Sequence, residues 1–210
     1  MDETKFARYG LLAGVGFVVL AVVATFVGGA PPQVTDNDAK IVDFYRDNQD
    51  ALRIGSYLGG LALVLLLWFL GSLFGRLRRA EGGAGRLSGV ALSGAVVAVA
   101  VVFVANGIGA YSALNPDSAA FGHRLATVLF GFASFALAVF TAGVAVVLWS
   151  QSVLPKWFAY AGEAIALAWF VAGATVATVN DTIAAIGFIV FLVWAVWLAS
   201  LSVLLYRTPE

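Results

Sequence analysis

The sequence predicts an all-α fold, a polytopic bundle of six transmembrane helices. Three observations carry that expectation. Hydrophobic residues make up 61% of the 210-residue chain and charged residues only 11%, whereas soluble domains run near half apolar and a quarter charged. The apolar residues fall in six blocks, 9–29, 54–75, 88–110, 124–149, 158–179 and 183–206. Each is long enough to cross a hydrocarbon core, which takes about 20 helical residues at 1.5 Å rise. All five prolines, Pro31, Pro32, Pro116, Pro155 and Pro209, stand between or after those blocks, where helix breakers are tolerated.

Backbone groups in lipid must be satisfied within the segment, so blocks this long read as helices. A barrel would show roughly ten-residue segments of strict alternation. The first block, with Lys5 and Arg8 before it and "VGGA" near its end, has the flanks of a signal peptide. It exceeds the roughly 7–15 residues of a signal core and is read as a retained span.

The segment that follows, 28–53, is the longest connection. Asp38 stands three residues after Thr35, the spacing of a capping box, and Ile41, Phe44, Tyr45, Asn48 and Leu52 share one helical face. An extracytoplasmic amphipathic helix at about 36–50 is expected, either capping its own bundle or offering a docking surface to a partner. The basic stretch "GRLRRAEGGAGR" (75–86) joins the second and third spans. Asn115-Pro116-Asp117 turns the chain between the third and fourth, and Trp149 and Trp157 flank the loop before the fifth as interfacial anchors. Asp181 or Thr182 is expected to cap the last helix. No linker divides the chain, so residues 1–210 form a single transmembrane domain.

Arginine and lysine near span ends set orientation. With the N-terminus inside, Lys5, Arg8, Arg76, Arg78, Arg79, Arg86, Lys156 and Arg207 lie inside, against Lys40, Arg46, Arg53 and Arg124 outside. Both termini are therefore expected in the cytoplasm. Asp36, Asp38, Asp43, Asp47, Asp50, Asp117 and Asp181 then all lie outside. A three-plus-three inverted repeat would suit a transporter, but the long loop 30–53 faces a short one at 150–157, and no span holds a proline. Four glycine pairs at four-residue spacing, Gly10 and Gly14, Gly55 and Gly59, Gly71 and Gly75, Gly85 and Gly89, are expected at helix–helix contacts.

Two polar groupings are candidate sites. Glu163, in "AYAGEAIALAWF" (159–170), is the one carboxylate well inside a span. An ionised acid in hydrocarbon is costly, so it is expected to point into the bundle, to pair with a cation among Arg76, Arg78, Arg79 and Lys156, or to take a proton. Toward the outer leaflet, Asn106, Asp117, His123 and Arg124 form a second cluster, with Asp117 contacting the His123–Arg124 pair. Trp169 and Trp194, deeper in their spans, are expected at packing or lipid contacts.

Several chemistries are excluded or disfavoured. The chain has no cysteine and one histidine, which rules out disulfides, thiolate or multi-histidine metal sites and a bis-histidine haem within one chain. No span holds a lysine for a Schiff base or an aspartate for a dyad. Catalysis is disfavoured, no cofactor is expected, and zero net charge suggests no nucleic-acid partner.

In "ALRIGSYLGGLALVLLLWFLGSLFGRLRRAEGG" (51–83) and "LPKWFAYAGEAIALAW" (154–169) the chain resembles the uncharacterised small multi-pass membrane proteins of actinobacteria. The shared layout is a short outer helix, an "LWFLG" span, a basic loop and an "LPxW" turn. The resemblance implies a six-helix protein of the plasma membrane, the bacterial inner membrane, and gives no residue a role. The expected function is a non-catalytic accessory or interaction subunit of a larger, lipid-handling membrane assembly. Membrane lipids and other membrane subunits, or a second copy, are its expected partners. The alternative is a small transporter or channel using Glu163 as its ionisable group.

Overall fold

The computed structural model describes residues 3–178 and 180–208. Val179, Pro209 and the side chains of residues 3–8, Lys5 and Arg8 of the orientation count among them, lie outside the described residues. Among the described residues seven α-helices follow one another: α1 (Glu3–Val27), α2 (Asp38–Asp47), α3 (Gln49–Glu81), α4 (Arg86–Leu114), α5 (Ala119–Ser150), α6 (Lys156–Gly173) and α7 (Asp181–Arg207). Every helix except α2 is long and apolar enough to cross a membrane, which is the architecture of a multi-pass membrane protein. No strand occurs among the described residues.

The helix ends depart from the expected span limits for local reasons. Helix α3 starts at Gln49, immediately after α2, and runs past the expected span to Glu81. There the Glu81 carboxylate accepts from Leu87 N, Ser88 N and the Ser88 hydroxyl, satisfying donors at the positive N-terminus of α4. Gly85, at φ +62, makes the turn between them, a conformation favourable to glycine. Helix α6 ends early: Ala174–Val176 tighten into a 3-10 turn. The Thr175 and Thr178 hydroxyls there donate to Ala172 O and Ala174 O, and such local bonds compete with helix continuation. The caps are asparagines rather than the expected residues. Asn37 accepts from Lys40 N, and Asn180 from Thr182 N. Thr35 instead donates to the Asp181 carboxylate.

The six long helices form a closed ring. Helix α3 packs on α1, α4 on α3, α5 on α4, α6 on α5, α7 on α6, and α7 returns to α1. Lipid offers no hydrophobic drive between helices, so close van der Waals contact holds such seams. A Cβ on Gly94 would lie 2.8 Å from Ala136 O and Phe140 N of α5. Gly143 lies against Ala91, Gly162 against Trp197 and Ala145, and Gly14 against the Phe69 ring. Of the four expected glycine pairs, Gly71 and Gly89 face open space; the closest α4–α5 seam is built by Gly94 and Gly143 instead. Ring closure is fastened by the buried Ser202 hydroxyl, which donates to Leu11 O, and by Phe17 edge-on to Trp194 at 5.9 Å.

A ring of six helices, each roughly 10–12 Å across with side chains, leaves a space at its centre. At the end where α3 and α7 finish, Leu73, Leu77, Leu148, Leu201 and Leu205, each at most 2% exposed, fill it. At the α2 end the lining includes the small residues Ala105, Gly109 and Ala126, and beside Gly109 no atom stands where a Cβ would reach.

Gly94→Ala places a methyl group against backbone and is expected to destabilise the bundle by about 1–3 kcal/mol through overpacking. Gly89→Ala, with open space beyond it, is expected to stay within about 0.5 kcal/mol of the parent. Reversible unfolding in mixed micelles measures both.

Candidate functional site

The unfilled end of the ring is a cavity of about 550 Å³. All six long helices line it, and Phe44 and Tyr45 of α2 lie across one end with Gly29 and Pro31 of the preceding loop. Along α3 the lining runs from Leu52 to Leu70, about 27 Å at 1.5 Å per residue. The space is therefore elongated parallel to the helices. Away from α2, the last lining residues on the six spans are Phe17, Leu70, Ala95, Phe140, Trp169 and Trp194. Four of these are aromatic, and Trp194 meets Phe17, Phe140 and Trp169 edge-on at 5.9, 6.3 and 6.1 Å.

The walls are apolar with a few polar groups. Asn106 Nδ2 donates to Ser56 O at 2.8 Å. The hydroxyls of Ser134 and Thr127 donate to their own helix, to Phe130 O and His123 O, as that of Thr175 does to Ala172 O. No aspartate, glutamate, lysine or arginine lines the cavity among the described residues; Tyr45 and His123, at the α2 end, are its ionisable groups.

Helix α2 and its approach are clasped to α5 by charge and by hydrogen bonds. The Arg124 guanidinium donates to Asp36 O at 3.0 Å and Val34 O at 3.4 Å and pairs with the Asp38 carboxylate at 2.7 Å. His123 Nε2 sits 3.1 Å from Pro32 O, so it is the protonated nitrogen. In the neutral ring that leaves Nδ1 to accept from the Tyr45 hydroxyl at 3.5 Å. Burial pushes the Tyr45 phenol above its ordinary 10.0, keeping it a neutral donor. Beneath α2, Ile41 and Tyr45 pack with Ala113, Ala119 and Ala120 in a small apolar cluster separate from the main core. Bonds from the Lys40 ammonium and from Gln33 N hold the Asp36 carboxyl below the ordinary carboxylate value.

The sequence-predicted site residues fall into three places. Asn106 lines the cavity, while His123 and Arg124 form the clasp. Asp117 does not contact them: it pairs with Arg46 of α2 at 2.5 Å, because the 3-10 turn Pro116–Ser118 carries it outward. The third place is the opposite end of the bundle. There Arg76 is buried and donates to Thr208 O at 2.6 Å, where a cation meets the negative C-terminus of α7. Glu163 is half-buried on α6 and has no hydrogen bond or ion pair among the described residues. Lys156 is exposed at the start of α6, and Arg78 lies in the last turn of α3 with its side chain against Gly85. The structure does not bring Glu163 to Arg76, Arg78, Arg79 or Lys156. Ring order gives the reason: α6 neighbours α5 and α7, whereas α3 neighbours α1 and α4.

Sequence reasoning missed the cavity and the lining role of Trp169. The available signal was the crowding of glycine and alanine near the α2 end of successive spans, in "IGSYLGG", "ANGIGA" and "AAIG". Fold and cavity together define a six-span membrane bundle with a partly open apolar cavity beneath α2. No protein-family model, curated protein or solved structure matches the chain.

Arg124→Ala should unfasten the loop before α2. Backbone amides in 32–47 are then expected to exchange about tenfold faster, the equivalent of about 1.4 kcal/mol, with the spans unaffected. Asp36, as a carboxyl with a lowered folded value, contributes fully above its ordinary 3.8. Its contribution is lost as the pH falls through the folded value. Hydrogen exchange, corrected for intrinsic rates, should show 33–40 loosening below about pH 4 before the spans do.

Proposed function

We propose that the protein is a non-catalytic accessory membrane protein that holds one apolar, lipid-class molecule in its central chamber. It sits in the bacterial plasma membrane with both termini cytoplasmic and α2 on the outer face. The observation that carries this reading is the chamber itself. Its volume of about 550 Å³ lies within the roughly 300–1,000 Å³ of small-molecule sites.

Energetics favour an occupant over a void. A space of this size leaves the apolar side chains around it without dispersion partners on one side. Water does not resolve the cost, because apolar cavities hold it poorly. A hydrocarbon chain does, by restoring dispersion contacts on every wall. The bilayer around the protein supplies such chains.

The arginines at the end of α3 support the orientation. Open space beside Gly71 and Gly89 on α3 and α4 supports a role beside other helices. The channel alternative would need Glu163 on the path, and Glu163 does not line the chamber.

Protein extracted in a mild detergent is expected to carry about one tightly held lipid-class molecule per chain on lipid mass spectrometry. Gly109→Leu, at a lining position where an added Cβ meets no atom within 4 Å, should expel it without lowering the melting temperature. Glu163→Gln should retain it. Equal retention in the parent and Gly109→Leu, or loss in Glu163→Gln, would contradict the proposal.

A further inference from the structure

We infer that the outward flank of α6 around Glu163 is a docking face for a helix of another membrane protein, one that carries an arginine or lysine within its span. The inference goes beyond the chamber and is independent of its contents, since Glu163 does not line it.

Helix α6 turns Gly162, Ile165, Ala166 and Trp169 into the bundle and leaves Tyr160 and Leu167 largely exposed. Glu163 stands three residues after Tyr160 and four before Leu167, the spacing of side chains that share a helical face. Phe170, two turns further on, locates that flank: its ring meets Phe135 of α5 at 6.3 Å, and both rings are partly exposed. Glu163 is half-buried, so its carboxyl borders the outer side of the α5–α6 seam. It lies about 10 Å beyond Lys156, the start of the helix, at 1.5 Å per residue.

Nothing on the neighbouring helices neutralises it. Helix α6 packs on α5 and α7. Between Phe135 and Trp149 the one polar side chain of α5 is Thr141, which is buried and accepts from Trp194 Nε1. Between Gly187 and Leu205, α7 holds Ser200 and Ser202 and no charged residue. Glu163 carries no hydrogen bond or ion pair among the described residues.

A carboxylate in hydrocarbon is strongly disfavoured unless a cation reaches it. Ionised, it only accepts hydrogen bonds, and an arginine or lysine supplies both the charge and the donors. Long basic side chains escape by sliding to the headgroups; the short stem of a glutamate does not cover the distance. Helix α6 is also the least apolar of the six spans, as suits a helix covered by protein rather than by lipid.

A second copy of this chain does not supply the cation. Its lysines and arginines stand at the ends of the apolar blocks or in loops. Arg76, just past the end of its block, is buried and donates to Thr208 O. The occupant is therefore a foreign helix with its own basic residue at the depth of Glu163.

The test reconstitutes the full chain in phosphatidylcholine vesicles with synthetic leucine–alanine transmembrane peptides. One peptide carries a single arginine about 10 Å from its end, the depth of Glu163 at 1.5 Å per residue; its twin carries leucine there. Association is read as energy transfer between a dye at the C-terminus of the chain and one on the peptide. The parent is expected to bind the arginine peptide about tenfold more tightly than the leucine twin. Glu163→Gln, nearly isosteric at a half-buried position, should abolish that difference, and Glu163→Asp should keep part of it. Should a variant not fold, the two peptides on the parent decide alone. Equal binding of both peptides by the parent, or an arginine preference that survives in Glu163→Gln, would overturn the inference. Energy transfer between two labelled copies of the chain that disappears in Glu163→Gln would overturn it too, because the occupant would then be a second copy. Lipid retention in the same preparations tests the chamber separately.

Discussion

The contact between α7 and α1 is the interaction on which the rest of the structure depends. Neighbouring helices in a chain with short connections pack together as hairpins with little further specification. Closing the string is different, because it brings together helices nearly the whole chain apart. The Ser202 bond to Leu11 O and the Phe17–Trp194 contact perform that closure inside the bundle, where no water competes. Once closed, the ring has an interior, and the side chains aimed inward decide what that interior is.

Those side chains differ from one end to the other. Leucines fill the ring where α3 and α7 finish, and glycines and alanines leave it open beneath α2. Small residues thus serve two purposes that composition alone does not separate. Gly94 and Gly143 draw α4 and α5 together, and Gly131 admits Thr175 and Val176, whereas Gly109 borders unfilled space. Helix α2 closes the chamber at one end without filling it. It rests on its own small cluster around Ile41 and is held by Arg124 and His123, so the cap is fastened by polar bonds independent of the bundle core.

The six spans were legible in the sequence because the bilayer imposes a length and a polarity that every span must meet. The amphipathic helix was legible from the spacing of Ile41, Phe44 and Tyr45, and His123 and Arg124 stood out as polar residues at a span end. Less was legible where the outcome depends on which helices are neighbours. Glu163 and Arg76 lie near the same end of the bundle, yet ring order puts their helices apart, and the C-terminus of α7 takes the arginine. The early end of α6 follows from threonine hydroxyls whose bonds are visible in three dimensions. Trp169 reads as ordinary packing, and the structure adds that its indole N–H is buried without an acceptor among the described residues.

The defining property of the bundle is a ring that is packed at one end and open at the other. Xenon binds dry apolar cavities and is excluded from close-packed cores, so anomalous scattering from xenon-pressurised crystals of delipidated protein tests this directly. Xenon is expected between α2 and the aromatic group of Phe140, Trp169 and Trp194, with none among Leu73, Leu148 and Leu201. Absence of xenon from the α2 half, or equal occupancy of both halves, would contradict it.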